Sequence, residues 1–599
     1  MKKTHFLPLL FLLSALLGAC AGPSPAPGTE PPATEPPAPR EVRIHSISEL
    51  NTKSARDSHA GETSFATMEA DWRAYFELEA ADLGGIRSLY YPRLKLLPNG
   101  KYILFFQNGR AGPDIYYALS EDGRTFREPK LFFRSTNDTA YATCDALVLS
   151  NGDLLAVASF RTPKDYLRHP QTAGLVLRVS HDSGETWTPS RRVFVGCNWE
   201  PYLLQLSSGE VQLYFTNTYG RETPEGVLSS TGVAMLRSFD NGETWNGSLA
   251  RPYSAQIVSQ SKTENVGGVQ LFSEQMPSAV ELHNGGIAMA MEVRLDRTGK
   301  CVLTMAYSPD NWAKSLKEFE EEGPADKIDR FTAGIGPYLR QLESGETLLV
   351  YGRSEKLAFR MGDENGKSLG PEIFPYSMLS SNRWSAMEVL SSHAVLTVNQ
   401  TYTKEDFDTT KLVFGTLRLD HRVTADRFSV TADGDNTEWE GHDEALFVGS
   451  ASQAQESLRF GHEDGYLSVL CERLDRFPSE EDVTALYLSP KADKDSYLLL
   501  RFGADGIVSA VSREGNGTTQ VDPDRILFGS FVRSPAGEAD DGAGYLAELK
   551  IPLDLLPGLG EDLSVGIIMD NRDGEKATRD VPDGFSIGDV STWFKVVLG

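Results

Sequence analysis

Basic residues, cysteine and histidine are all scarce in this chain. Lysine and arginine number 58 against 84 aspartates and glutamates, a formal net charge of -26 over 599 residues. The basic footprint that a nucleic-acid partner needs is missing, which excludes that class of ligand. Only five cysteines occur, Cys20, Cys144, Cys197, Cys301 and Cys471, far apart and with no C-x-x-C pair. Such spacing signals neither a zinc site nor a disulfide framework. The last four read as buried apolar filler, and neither a metal nor a cofactor is expected. The apolar run from Phe6 to Leu17 is too short to span a bilayer as a stable helix.

What that run does carry is a leader. It follows the basic start Met1-Lys2-Lys3 and ends in Leu17-Gly18-Ala19-Cys20, which resembles a bacterial lipobox. The resemblance implies a signal peptide over 1–20, a lipid on Cys20, and export to the outer membrane, on either its surface or periplasmic face. An ordinary secretory signal is the alternative. Residues 21–40 are almost entirely Pro, Ala, Gly, Thr, Ser and Glu, which cannot bury a core and read as a linker. The remaining length exceeds one ordinary core and divides into two domains, 41–420 and 423–599.

The first of these is written as six copies of one pattern. The copies run from Tyr91-Pro92-Arg93-Leu94 to Gly100, Thr143-Cys144-Asp145 to Gly152, and Glu200-Pro201-Tyr202 to Gly209. They continue from Met276-Pro277-Ser278 to Gly285, Gly336-Pro337-Tyr338 to Gly345, and Arg383-Trp384-Ser385 to Ser392. An apolar β-rich run follows each turn, such as Tyr102 to Phe106 or Ile287 to Met291, and a third strand follows that. The third strands of copies two and three run into Ser180-His181-Asp182-Ser183-Gly184-Glu185-Thr186-Trp187 and Ser238-Phe239-Asp240-Asn241-Gly242-Glu243-Thr244-Trp245. Both match the S-x-D-x-G-x-T-W box of sialidase-like propellers, a structural hairpin turn with degenerate versions at Ser120 and Ser308. Repetition at this period predicts an all-β, six-bladed propeller, with a solenoid or large sandwich as alternatives. Glu41 to Leu50 and Lys411 to Leu419 are expected to close the ring.

In such a blade the starts of first strands and the ends of second strands share one face, and strand alternation groups Tyr91 with Arg93, Thr143 with Asp145, and Glu200 with Tyr202. Two carboxylates stand out there: Glu200 in Asn198-Trp199-Glu200-Pro201, and Glu292 at the end of an apolar strand on the next blade. Paired carboxylates among arginines and aromatics suit glycoside hydrolysis, one as acid/base and the other as nucleophile or base. The alternative reading is structural, with Glu292 ion-paired to Arg294 or Arg353.

Over residues 85 to 360, the Tyr91-Pro92-Arg93-Leu94 segment, the stretch Trp199-Glu200-Pro201-Tyr202-Leu203 through Tyr214, and the strand ending in Glu292 resemble glycoside hydrolase family 93. These are exo-acting α-L-arabinanases on a six-bladed propeller. The resemblance implies hydrolysis of α-1,5-arabinan with retention, with Glu200 as nucleophile and Glu292 as acid/base. It further implies sugar contacts from Tyr91, Arg93 and Asp145, and from Arg161, Tyr214 and Arg353. The chain departs from that pattern in an insertion, Gln256 to Gln270, and the likeness fades after the fifth copy. An exo-sialidase, with three arginines gripping a carboxylate, and a non-catalytic glycan-binding surface protein are the competing readings.

Past Arg422 the pattern stops. The opening Asp433-Gly434-Asp435-Asn436-Thr437-Glu438-Trp439 and the strand Tyr545 to Pro552 resemble the β-sandwich of carbohydrate-binding module family 9. That likeness implies a glycan-binding or spacer domain. Trp439 and Trp593 are its only tryptophans, and Trp439 is expected to plug the sandwich rather than serve as a platform. The partners expected are an oligosaccharide or polysaccharide and a membrane, for a monomeric protein.

Overall fold

The computed structural model describes residues 68–599, leaving out short stretches at 110–112, 163–165, 248, 250–254, 273, 296–299, 314–315, 318–326, 344, 355, 377–382, 392–393, 404–405, 420–421, 443, 451–453, 476, 534–542 and 583–584. Cys20, the leader, the linker and the segment from Glu41 to Leu50 lie outside the described residues. The described chain is all-β, with 3-10 turns and no α-helix.

Each sequence copy folds as one antiparallel blade. Blade one comprises Tyr90–Leu96, Tyr102–Asn108, Asp114–Ser120 and Arg127–Phe133, hydrogen-bonded in chain order. Blade two comprises Ala140–Val148, Leu154–Arg161, Ala173–Ser180 and Arg191–Val195. Blade three runs Asn198–Gln205, Val211–Thr223, Gly226–Ser238 and Gln256–Gln260. The stretch from Gln256 is therefore not all insertion: its first five residues are the blade's outer strand, and only Lys262–Val266 with Val269–Phe272 forms an added hairpin. Blade four is Glu274–Glu281, Ile287–Arg294, Cys301–Ser308 and Lys327–Ala333, and blade five Ile335–Gln341, Thr347–Arg353 and Lys356–Gly362.

Blade six has Arg383–Ser391, Ala394–Thr403 and Asp406–Leu419, and its outer strand comes from the other end of the ring. Met68–Glu79 pairs antiparallel with Asp406–Leu419, and the Phe76 and Phe414 rings stack at 4.4 Å. The closing strand thus lies downstream of the segment the sequence pointed to. Joining the first and last described strands of the propeller in one blade closes the ring between the first and last copies.

The turn glycines Gly100, Gly152, Gly209, Gly285 and Gly345 have φ between 80° and 114°, where a side chain would be strained. In the two full boxes, Ser180 and Ser238 accept the amide of the box glycine at 2.8 Å, and Asp182 and Asp240 accept a threonine amide at 2.8 Å and its hydroxyl at 2.6 Å. Threonine hydroxyl and amide donors hold both aspartates down to about 2. Trp187 of the blade-two box packs on Phe105, Tyr117 and Phe132 of blade one, so the box staples neighbouring blades.

The C-terminal region is a curled, strongly bent sheet. The strand Arg422–Arg427 pairs with Phe594–Leu598 through its first half and with Ala454–Glu463 through its second, and so passes from one layer to the other. One layer continues through Asp562–Asp573, Val483–Asp493 and Ser496–Gly503; the other through Tyr466–Asp475, Gly544–Pro552 and Leu527–Val532. Their inner faces meet in one apolar core containing Leu458, Val469 and Leu549 with Leu486, Leu500 and Val565. Trp439 is fully buried, with its Nε1 donating to Glu548 at 2.9 Å. Glu548 also accepts the amides of Gly434 and Asp433, so the acidic-tryptophan opening and the later strand hold each other. Trp593 is buried as well, so neither tryptophan forms an exposed platform.

Candidate functional site

Every first strand carries a β-bulge at the same place. The pairing register slips at Tyr90/Arg93, Ala142/Cys144, Trp199/Tyr202, Gln275/Ser278, Ile335/Tyr338 and Arg383/Ser385. Within the slips, Tyr91, Thr143, Glu200, Met276, Gly336 and Trp384 all have positive φ, between 42° and 58°. Because the strain recurs around the whole ring, it belongs to the architecture and does not by itself mark Glu200. The bulged residues converge: Tyr91, Met276 and Trp384 pack together, with Tyr91 and Trp384 ring centroids 6.0 Å apart. At blade five a Cβ on Gly336 would come within 3.3 Å of Trp384, a tight contact that the glycine avoids.

A bulge leaves one backbone N–H unpaired in its own sheet, and the preceding blade supplies an acceptor. Gln400 of blade six accepts from Tyr91 at 3.0 Å, and Gln107 of blade one accepts from Thr143. Thr216 of blade three accepts from Met276 at 3.0 Å, and Glu292 of blade four accepts from Gly336 at 2.6 Å. Glu200 follows the rule from another strand, its N–H donating at 3.2 Å to the hydroxyl of Thr143, on the first and not the second strand of blade two.

Above the bulges of blades one to three opens a cavity of about 510 Å³. Its walls are largely aromatic, from Tyr90, Tyr91, Tyr141, Tyr166, Trp199 and Trp384, and its charged groups are Arg161 and Glu200. This mixture of apolar wall and few polar groups is the usual make-up of a ligand pocket. Arg161 lies flat on Trp199, 3.2 Å from the ring centroid, and donates to Ser159 at 2.9 Å. Burial pulls its pKa down, against the neighbouring Tyr166 and Glu200.

Burial also raises the Glu200 carboxyl, from 4.5 to about 7, assisted by the nearby Glu292 charge. A hydrogen bond from the Thr216 hydroxyl, 2.6 Å from Oε2, and the charges of Arg161 and Arg93 oppose the rise. Glu292, 5% exposed, is held differently: Gln275 Nε2 donates to Oε1 and Gly336 N to Oε2.

The structure brings Tyr91, Arg161 and Glu200 to the cavity, with Glu292 within electrostatic reach just outside its wall. Arg93 and Asp145 instead lie beneath it. The bulge separates Tyr91 from Arg93 in depth, so the Arg93 guanidinium sits 4.2 Å below the Tyr91 ring, 3.4 Å from Asp145. Asp145 is 1% exposed and accepts the Leu203 amide at 2.7 Å, a bracing role in place of the expected sugar contact. Deeper still, Lys95 bonds Glu388 at 2.6 Å and Arg340 bonds the Tyr338 hydroxyl at 2.7 Å, filling the axis with paired charge.

Tyr214 is not at the cavity either. Its ring is fully buried, its hydroxyl taken by Gln212 and by Trp312 Nε1 at 2.7 Å. Arg353 stands on blade five, 3.4 Å from Glu372, and does not pair with Glu292. Trp199, Tyr166, Trp384, Thr143 and Thr216 are site residues that the sequence did not single out for a role. Trp199, Thr143 and Trp384 were legible, since each lies within one residue of the start of a copy. Tyr166 and Thr216 carried no signal. Among the described residues, no cluster of three His, Cys, Asp or Glu side chains could hold a metal.

The fold and the cavity together define a six-bladed propeller with an aromatic, carboxylate-bearing pocket on one face of its axis. No protein-family model matches the sequence, and no curated protein matches it. Among solved structures, a Dyadobacter fermentans protein of unknown function aligns with 59% of this chain and 99% of its own, at 16% identity and a TM-score of 0.45. The GH93 α-L-arabinofuranosidase of Fusarium graminearum, in complex with arabinobiose, aligns with 58% of this chain and 98% of its own, at 15% identity and a TM-score of 0.43. The NanB sialidase of Streptococcus pneumoniae covers 58% of this chain and 70% of its own, at 14% identity and a TM-score of 0.40. Likenesses at this level carry no argument about activity, which rests on the cavity.

Proposed function

We propose that this protein is a retaining exo-glycoside hydrolase acting on α-1,5-arabinan or a related oligosaccharide. The observation that carries the reading is the Glu200 carboxyl, held at about 7 in the wall of an aromatic cavity within the field of a second, charged carboxylate, Glu292. A carboxyl raised to about 7 can give a proton at neutral pH, and a second carboxylate in its field is the other group that the reaction needs. The raised carboxyl supports Glu200 as the proton donor, which leaves the nucleophile to Glu292, the reverse of the roles that the family resemblance implies. The aromatic walls suit the flat faces of a sugar ring.

An exo-sialidase would need several arginines aimed at one carboxylate. Here Arg93 is paired below the floor, Arg353 is paired on blade five and the Arg294 side chain is exposed, so that among the described residues Arg161 is the one arginine lining the cavity. The same proposal includes a monomer tethered to the outer membrane through a lipid on Cys20, and a C-terminal domain that carries or spaces the propeller. The deciding experiment is a product profile on linear arabinan, debranched arabinan and sialyllactose, alongside Glu200→Gln and Glu292→Gln. Arabinose or arabinobiose released by the wild type and by neither variant is expected. Free sialic acid would overturn the arabinan reading, and no release from any substrate would favour a glycan-binding protein.

A further inference from the structure

Thr216 sits midway along the second strand of blade three, 1% exposed, with one hydroxyl proton to place. Its Oγ1 accepts the Met276 N–H at 3.0 Å and lies 2.6 Å from Glu200 Oε2. A backbone N–H can only donate, so it occupies a lone pair of the hydroxyl and turns the hydroxyl proton toward Glu200. Among the hydrogen bonds of the described residues Glu200 Oε2 is the one acceptor for that proton, so protonation of Glu200 on Oε1 keeps the bond whereas protonation on Oε2 would strand the hydroxyl proton. Oε2 is therefore an acceptor in both protonation states. When Glu200 carries a proton, that proton sits on Oε1, which receives no hydrogen bond from the described residues.

We propose that Thr216 is a positioning residue that commits Oε2 of Glu200 and leaves Oε1 as the one oxygen that gives or takes the proton in the cavity. The inference rests on the reading of Glu200 as a reacting carboxyl. It also gives the blade-three acceptor a task that Gln107 and Gln400, in the equivalent places, do not have. Those side chains accept bulge N–H groups but have no hydroxyl proton to hand on.

The test compares Thr216→Val, which removes the hydroxyl at nearly constant shape, with Thr216→Ser, which keeps it. Glu200 is titrated in the full chain by carbon-13 NMR of labelled glutamate, its signal identified by its absence in Glu200→Gln. In Thr216→Val the Glu200 midpoint is expected to rise by about one pH unit, because a bond to the charged form is lost. The pH–rate limb assigned to Glu200 moves with it, and kcat falls about tenfold with KM little changed. Thr216→Ser restores both, and Thr216→Ala replaces Thr216→Val if the latter does not fold. An unmoved Glu200 midpoint in the variant, or a serine variant as impaired as the valine one, overturns the proposal. A chain inert on every sugar whose Glu200 midpoint still depends on Thr216 would overturn the hydrolase reading and leave this one standing.

Discussion

Glu292 Oε2 accepts the backbone N–H of Gly336 at 2.6 Å and so does in blade four what Thr216 does in blade three and Gln400 in blade six. The residue with the strongest claim to a second catalytic role also holds the ring together. The two roles separate by substitution. Glu292→Gln keeps an oxygen for Gly336 and is expected to melt close to the wild type while losing about 10²-fold or more in kcat. Glu292→Ala leaves a buried N–H without its partner and costs about 1–3 kcal/mol in addition. Thermal unfolding run beside turnover checks both; equal melting of the two variants would remove the structural role.

Glu200 makes the protein's stability depend on pH in a definite direction. Its folded pKa of about 7 lies above its ordinary 4.5, so between those values the folded state binds more protons than the unfolded one. Stability is full below 4.5 and declines as pH rises through 7. The loss is on the order of 2 kcal/mol once the solvent in the cavity is allowed for. Glu200→Gln does not titrate, so it is expected to match the wild type near pH 4.5 and to exceed it at pH 8. Melting curves at the two pH values decide this, and a gap that does not widen with pH removes Glu200 as a strained group.

The propeller was legible because its signals are local and repeated. A turn glycine such as Gly152 and a box such as Ser180 to Trp187 fix their own hairpins, so the blades follow from short stretches of chain. The carboxylate Glu200 and the aromatic Tyr91 were readable for the same reason. The bulge was not, since strict alternation predicts Arg93 beside Tyr91 while the extra residue places it 4.2 Å below the ring. Tyr214 and Arg353 depended on partners distant in sequence, Trp312 and Glu372, and no local pattern announces such pairs.

Of the two closing strands, Lys411 to Leu419 was legible and its partner was not, for a related reason. The closing strand Met68–Glu79 is recognised only by its fit to Asp406–Leu419, across more than three hundred residues of chain. Without it that strand becomes an exposed edge, and Phe414 loses the stacked Phe76 ring. Removing residues through Glu79 is expected to yield protein that aggregates on mild warming, whereas Phe76→Ala alone costs about 2 kcal/mol. Light scattering during thermal unfolding reads both outcomes, and a truncated chain as soluble as the whole one would mean that the ring does not need this strand.

The C-terminal domain offers an independent test, because it buries an arginine among three acids that are not among the residues lining the cavity. Arg473 is wholly buried, bonded to Glu456 at 3.0 Å, to Asp475 at 3.0 Å and to Asn571 at 2.6 Å, with Asp482 at 3.3 Å. Asp475 and Asp482 in turn accept the amides of Phe477, Ser479 and Arg572, so one guanidinium fixes two loops at the end of the sandwich. Burial already lifts Asp482 to about 6 despite the arginine. Arg473→Met strands the three acids and is expected to cost about 3–5 kcal/mol. The cost grows with pH: without the cation the folded pKa values of Glu456 and Asp482, already raised by burial, climb further above their unfolded ones, and stability is lost as pH rises through them. Denaturant unfolding at pH 5 and pH 8 measures the difference. Adding Glu456→Gln and Asp482→Asn to Arg473→Met removes two of the stranded charges and is expected to recover most of the loss at pH 8. If the triple variant is no more stable than the single one, the arginine contributes through packing and not through its charge.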